Sequence, residues 1–483
     1  MINKIIIMYS IYILNIMKIN TGGNVIASGG YGCVFSPALK CEGAAKREKG
    51  KITKLMTERH AKEEYAEILS IKQKLDEIKN YRDYFLIYDL NLCRPAKLTP
   101  KDLKEFSKCT ALPKDKITET NINKRRDELI SLNMPNGGIA VDEYLYDNGS
   151  FEKLYILHTS LFNLLKEGIV PMNKRNVYHS DIKDSNILVD NSTSELKTRL
   201  IDWGLANEYT PFKNEPFPRS WRNRPFQYNV PFSVIIFSEY FIEKYTEYIK
   251  KGGTIDEIYL KPFVIDYINF WFKKRGAGHY KLINEIMYTF FSKSLKSISH
   301  ESKPAVIETQ ITMEYIVNYI VDVLVHFTKF REDGRLNLRD YLDNVFIKIA
   351  DIWGFIIVYY PIAEILYNNY DKLSKNELNI FNKIKFIFVT YLFNPRHEPI
   401  NMNMLYLDLK NLGDLIYINL KSRNGTIRLK RKSFRVTKIH ATPDIHIKTR
   451  KNRNEIKYKN KKISFKRRAK RRKFRNPVFL SLK

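Results

Sequence analysis

Residues 177–189, Val-Tyr-His-Ser-Asp-Ile-Lys-Asp-Ser-Asn-Ile-Leu-Val, constrain what this chain can fold into more than any other stretch. Polar residues at 179, 181, 183 and 186 stand between two apolar runs, so a loop must project functional groups from a rigid base. A little further on, Leu200–Ala206 reads Leu-Ile-Asp-Trp-Gly-Leu-Ala and offers a second acid at a strand end, followed by glycine. An Asp that takes a hydroxyl proton (Asp181), an Asn and an Asp that hold Mg²⁺ (Asn186, Asp202) and a lysine on the phosphate form a phosphoryl-transfer set.

The N-terminal third supplies what such a set needs. Val25–Phe35 reads as strand, glycine turn, strand. Ile26, Ala27, Ser28, Gly29, Gly30, Tyr31 and Gly32 form the turn, whose glycines let backbone N–H groups approach phosphate oxygens. Val34, two residues after the last glycine, suits a cover for a purine. Ile52–Met56 is a short apolar strand carrying one lysine, Lys54. Glu58–Leu75 is a helix with Ala61, Tyr65, Ile68, Leu69 and Leu75 apolar. Glu63, Glu64 and Glu67 are each able to meet Lys54. Glu64 is preferred because Ile68, one turn on, shares its face; a surface carboxylate is the alternative.

These motifs, in this order, resemble a eukaryotic-type protein kinase from about Val25 to Leu412. The wording of the glycine turn and of Asp351-Ile352-Trp353-Gly354-Phe355 is similar to serine/threonine kinases of large (giant) DNA viruses. The resemblance implies an α+β, two-lobed fold binding ATP and Mg²⁺ and transferring the γ-phosphoryl group to protein hydroxyls. It implies Asp181 as base, Lys183 as its serine/threonine-type companion, and Asn186 and Asp202 as metal ligands. Lys54 would bind phosphates and pair with Glu64, His179 and Trp203 would pack beneath the site, and Asp351 would hold the catalytic loop's backbone. The implied layout is a β-rich part at 17–132, a hinge at 133–138 with Asn133 and Pro135 at the nucleotide, and a helical part at 139–420. Leu132 would be the gatekeeper.

The sequence departs from that pattern in places. Ala27 replaces a glycine, and Ser180 replaces an arginine that receives a phosphate from the activation segment. Activity independent of that phosphorylation is therefore expected. Pro135 lacks an N–H, which removes one donor to adenine. No Ala-Pro-Glu follows, and Arg224–Phe232 takes its place. An insert at 233–345 reads as helical over Val234–Lys250, Ile255–Lys274, Tyr280–Leu295 and Met313–Phe330, and is expected to form a substrate or partner platform. His279 within it reads as a structural histidine, and Arg396 precedes a C-terminal helix.

Charge is uneven. The chain has 483 residues and a net charge of +30, of which residues 421–483 carry +23: 25 Lys+Arg against Asp444 and Glu455. This tail is expected to be disordered and to serve nuclear import, nucleic acid or an acidic partner. A second reading follows from it: a catalytically weak, kinase-like scaffold that binds nucleic acid or virion components through the tail. Residues 1–16 are an apolar extension too short to span a bilayer, with Met17 as an alternative start. Phe355–Leu366 is interrupted by Pro361 and Glu364, so no stable membrane insertion is expected. Cys33, Cys41, Cys93 and Cys109 lack Cys-x-x-Cys spacing, which indicates neither a zinc knuckle nor disulfides. An intracellular setting follows: host cytoplasm or virion, or the nucleus by way of the tail.

Overall fold

The computed structural model describes residues 23–147, 150–192, 195–213, 217–332, 334 and 336–422. The apolar extension 1–16 and nearly all of the basic tail lie outside them. The described chain is mixed α+β. Five antiparallel strands, β1 (Asn24–Ser28), β2 (Gly32–Ser36), β3 (Lys51–Thr57), β4 (Asn91–Cys93) and β5 (Leu129–Pro135), form a sheet in the order β1-β2-β3-β5-β4. Helix α1 (Glu58–Leu75) follows β3 directly and buries Ala61, Ile68, Ile71 and Leu75. Leu69, expected on that apolar face, is exposed, and Ile71 takes its place because it lies three residues after Ile68.

One face of the sheet has its own core, in which Val25, Phe35 and Leu55 pack against Leu98, Phe106, Leu112 and Ile122. The residues between β4 and β5 form only short 3₁₀ turns, and cross-links hold them. Cys33 in β2 joins Cys109, and Cys41 joins Cys93 in β4. This corrects the reading of four unpaired thiols. Partners 76 and 52 residues apart leave no mark in linear spacing, because pairing depends on which segments lie side by side. The cysteine-spacing argument for an intracellular setting falls with it. Buried Asp102 fixes the same region by accepting from Gly23 N (2.6 Å), Arg47 Nη2 (2.7 Å) and Thr99 N (2.8 Å).

Beyond β5 the chain makes β6 (Ile139–Ala140), α2 (Val141–Asp147) and α3 (Phe151–Asn163). After α3, β7 (Val177–Tyr178) pairs only with β10 (Asn207–Glu208), while β8 (Ile187–Asp190) pairs with β6 on one side and β9 (Lys197–Leu200) on the other. The remainder is helical: α4 (Glu239–Lys250), α5 (Glu257–Arg275), α6 (Tyr280–Phe291), α7 (Met313–Phe327), α8 (Ile347–Ile357), α9 (Tyr360–Asn368), α10 (Lys375–Phe388) and α11 (Met402–Lys421). Four of these, α4 to α7, correspond to the helices expected in the insert; α4 and α5 start a few residues late, and α6 and α7 end a few residues early. Residues 133–135, expected to begin a hinge, are instead the end of β5, where Pro135 lies opposite Lys51. The connection proper is Asn136-Gly137-Gly138. Gly138, at φ +97°, passes so close to Val189 that a Cβ would sit 2.0 Å from its carbonyl oxygen.

Among the described residues, one helical run, Arg339–Asn368, is long and apolar enough to cross a membrane, and 94% of its most apolar stretch is buried inside the protein. Its residues belong to the larger core, which agrees with the expectation of no stable membrane insertion.

Candidate active site

The loop between β7 and β8 is fixed from below. Asp351 on α8, 1% exposed, accepts hydrogen bonds from His179 N (2.9 Å), Ser180 N (2.7 Å) and Asn173 Nδ2 (2.7 Å). It holds backbone, as expected of it. Gly354, one turn later, lets α8 come close; a Cβ there would meet the Ile182 carbonyl at 2.5 Å. His179 is fully buried, its Nε2–H donating to the Ile201 carbonyl (2.9 Å) and its ring edge-on to Trp203. Trp203 in turn meets Phe85 edge-on, so both rings pack beneath the loop.

Ser180 adopts φ +61°, a region non-glycine residues avoid. Its polar groups are nevertheless all engaged: the N–H by Asp351, the hydroxyl by Trp221 Nε1 (2.8 Å) and the carbonyl by Arg224 Nη1 (3.0 Å). That network holds the strained residue in place. Burial lowers the Arg224 pKa to about 10 against the pull of Asp181 and Asp351.

Asp181 emerges from this base with its carboxylate gripped by three side chains. Lys183 Nζ (2.7 Å) and Asn186 Nδ2 (2.9 Å) reach Oδ2, and Asn229 Nδ2 (2.8 Å) reaches Oδ1. Burial pushes its pKa up, but the Lys183 cation and the hydrogen bonds outweigh it, and the net shift is downward. The group is an ionised acceptor near neutral pH. Neighbouring Asp184 behaves oppositely: burial and the Asp142 carboxylate raise it to about 6.

Asn186 and Asp202 come together through the β8–β9 ladder. Ile201 N donates to the Asn186 carbonyl (3.0 Å), and Asp202 follows at once, exposed and at φ +63°. The Asn186 amide nitrogen is committed to Asp181, so its oxygen is the end left for a cation. An amide and a carboxylate oxygen are hard donors of the kind Mg²⁺ takes.

On the sheet, Lys54 Nζ lies 2.7 Å from both carboxylate oxygens of Glu64, with both side chains 14% exposed. Cross-strand pairing puts Val34 and Leu132 opposite Lys54, and Ala27 opposite Val34, so these residues share one face. The glycine turn is closed by Gly29 N donating to Gly32 O (2.8 Å), and a Cβ on Gly29 would stand 3.9 Å from Lys54 Cε. Gly32 is required by packing, since a Cβ there would strike Met56, whereas at Gly30 a Cβ meets nothing within 4 Å.

Other turn residues differ from expectation. Ser28 Oγ accepts from Thr110 N (3.0 Å) and Ala111 N (3.1 Å), which ties it back to the cross-linked segment. Ile26 is 48% exposed beside a bulge, and Tyr31 rests on His60 with ring centroids 4.6 Å apart. Asn133 points to the opposite face from Lys54, where Thr53 Oγ1 donates to it (2.5 Å) and it donates to Glu48 (2.7 Å). Only the backbone of Asn133 and Pro135 remains for a nucleotide.

Asn229, Arg224 and Trp221 are contributors that sequence reasoning missed. Asn229 carried a signal: one amide amid Tyr228, Val230, Pro231 and Phe232 needs a buried partner. The insert braces the segment that follows the loop. Trp271 Nε1 on α5 donates to the Arg224 carbonyl (3.2 Å), and Gly278 at φ +55° admits the Phe226 backbone, whose carbonyl accepts from His279 N (2.8 Å). No protein-family model and no curated protein matches this chain.

Proposed function

We propose that this chain is an ATP- and Mg²⁺-dependent serine/threonine protein kinase of two-lobed architecture, with the β1–β5 sheet and α1 as one lobe and the helical part as the other. The observation that carries this reading is the Asp181 carboxylate, kept ionised and aimed by Lys183, Asn186 and Asn229 on a loop whose backbone Asp351 holds. A base so fixed accepts a substrate hydroxyl's proton without reorganising. Lys183, beside it, would meet the transferred phosphoryl group, and Lys54, oriented by Glu64, would bind the nucleotide's phosphates. Asn186 and Asp202 would hold Mg²⁺, which when bound neutralises charge on the phosphate oxygens. Leu132 and Val34 would line the base.

Ser180 supports the expectation of phosphorylation-independent activity, because its hydroxyl and carbonyl are already joined to Trp221 and Arg224 of the following segment. The test is γ-phosphoryl transfer by the full chain to basic and acidic model proteins, for wild type, Lys54→Met and Asp202→Asn. Transfer by wild type alone is the expected result. No transfer by wild type, or equal transfer by all three, would overturn the reading.

A further inference from the structure

The second centre lies outside the phosphotransfer residues, at the junction of α7 with the loop that precedes α11. Asp322 and His326 stand one turn apart on α7 and so share a helical face. His397 reaches them from the loop. Its Nδ1 is 3.2 Å from Asp322 Oδ2, and His326 Nδ1 is 3.4 Å from Asp322 Oδ1 and 2.8 Å from the Asp322 backbone carbonyl. The two imidazoles stack nearly parallel, with centroids 3.8 Å apart and planes 8° from one another. One potential ligand atom from each of the three residues lies within 4.8 Å of the others.

We propose that Asp322, His326 and His397 form a binding site for a divalent transition metal of the Zn²⁺ class. Imidazole nitrogen and carboxylate oxygen are Zn²⁺ donors, and bonds of about 2.0–2.2 Å put adjacent corners of a tetrahedron roughly 3.3 Å apart. His397 Nδ1, 3.2 Å from Asp322 Oδ2, stands close to that value, and one ligand atom of His326 lies within 4.8 Å of both.

The scaffold on both sides is fixed. Asp322 belongs to a helix whose neighbours Val321, Val323 and Leu324 are buried. His397 follows Arg396, whose guanidinium donates to the Tyr391 (3.1 Å) and Thr390 (2.6 Å) carbonyls and pins the start of the loop. Three protein ligands leave one tetrahedral position for water or a fourth donor, and both histidine side chains are over 40% exposed, so metal enters from solvent. Occupied, the site would clamp α7 to the approach to α11.

The test uses full-length protein stripped of metal and titrated with Zn²⁺ against a chromophoric chelator, together with Co²⁺ absorption as a report of geometry. Wild type should bind one more Zn²⁺ equivalent than the His326→Ala/His397→Ala double variant. Each single variant should weaken that equivalent at least about tenfold, and His300→Ala should change nothing. Wild type should give a tetrahedral Co²⁺ spectrum that the double variant lacks. Identical isotherms for wild type and double variant would overturn the proposal, with circular dichroism verifying that both are folded. Absence of any tetrahedral Co²⁺ band in wild type would overturn it independently of how the variants fold.

Discussion

The loop carrying Asp181 and the glycine turn over Lys54 are built on opposite terms. The loop is over-determined: Asp351 holds two of its N–H groups, Arg224 a carbonyl, Trp221 a hydroxyl, and three side chains converge on one carboxylate. The turn is closed by one backbone bond and anchored through Ser28, and its tip at Gly30 faces open space. A centre that must meet a reacting atom with little error gains from rigidity, whereas a cover over a nucleotide must let it in and out. The difference is energetic and so can be broken from either side.

The largest effect is expected at the loop's base. Asp351→Ala leaves three donors facing a cavity and should destabilise the protein by about 3–5 kcal/mol, read by denaturant unfolding, with phosphoryl transfer lost in parallel. A change under 1 kcal/mol would mean the loop holds itself.

Next come the cross-links behind the turn. Cys109→Ser, which opens the link to Cys33, should cost about 2–4 kcal/mol under oxidising conditions and nothing beyond that in reductant. Equal unfolding midpoints for wild type with and without reductant would show that the cross-links do not support the sheet.

Asp184 gives a smaller, pH-dependent effect. Its folded pKa, about 6, lies above the ordinary aspartate value of 3.8. The folded state therefore favours the protonated form, and the stability this contributes is full below pH 4 and lost as pH rises through 6. Asp184→Asn should be more stable than wild type at pH 7–8 by on the order of 1–2 kcal/mol, the gap closing by pH 4. A gap that is constant with pH would remove the assignment.

Smallest in stability is Gly30→Ala, expected to shift unfolding by less than about 0.5 kcal/mol. Because its Cβ meets no protein atom, a rise in KM for ATP at unchanged stability would place the glycine's role in contact with ligand. An unfolding shift as large as that of Gly32→Ala would contradict the contrast.

How much was legible in sequence follows the same division. The Asp181–Asn186 loop and the Lys54–Glu64 pairing were legible because local spacing and helical periodicity fix which side chains share a face, whereas Asp351, more than 170 residues from the loop, was legible only through the resemblance of its motif. The insert's helices were legible for the same reason. Asn229 and Arg224 were not, since their partners lie more than 40 residues away and only the folded chain brings them together. The cysteine pairs escaped likewise. Asn133 shows the limit of motif reasoning: a one-residue alternation in β5 turns its side chain away from Lys54 and into a polar network with Thr53.

The central claim is that Asp181 is the base of a phosphoryl-transfer centre. Its most direct test is single-turnover γ-phosphoryl transfer by full-length wild type and Asp181→Asn, alongside nucleotide affinity and unfolding for both. Asparagine keeps the shape and an oxygen acceptor but cannot take the proton, so transfer should fall about 10²–10⁴-fold with nucleotide affinity and stability nearly unchanged. Equal transfer rates in the two proteins would contradict the account.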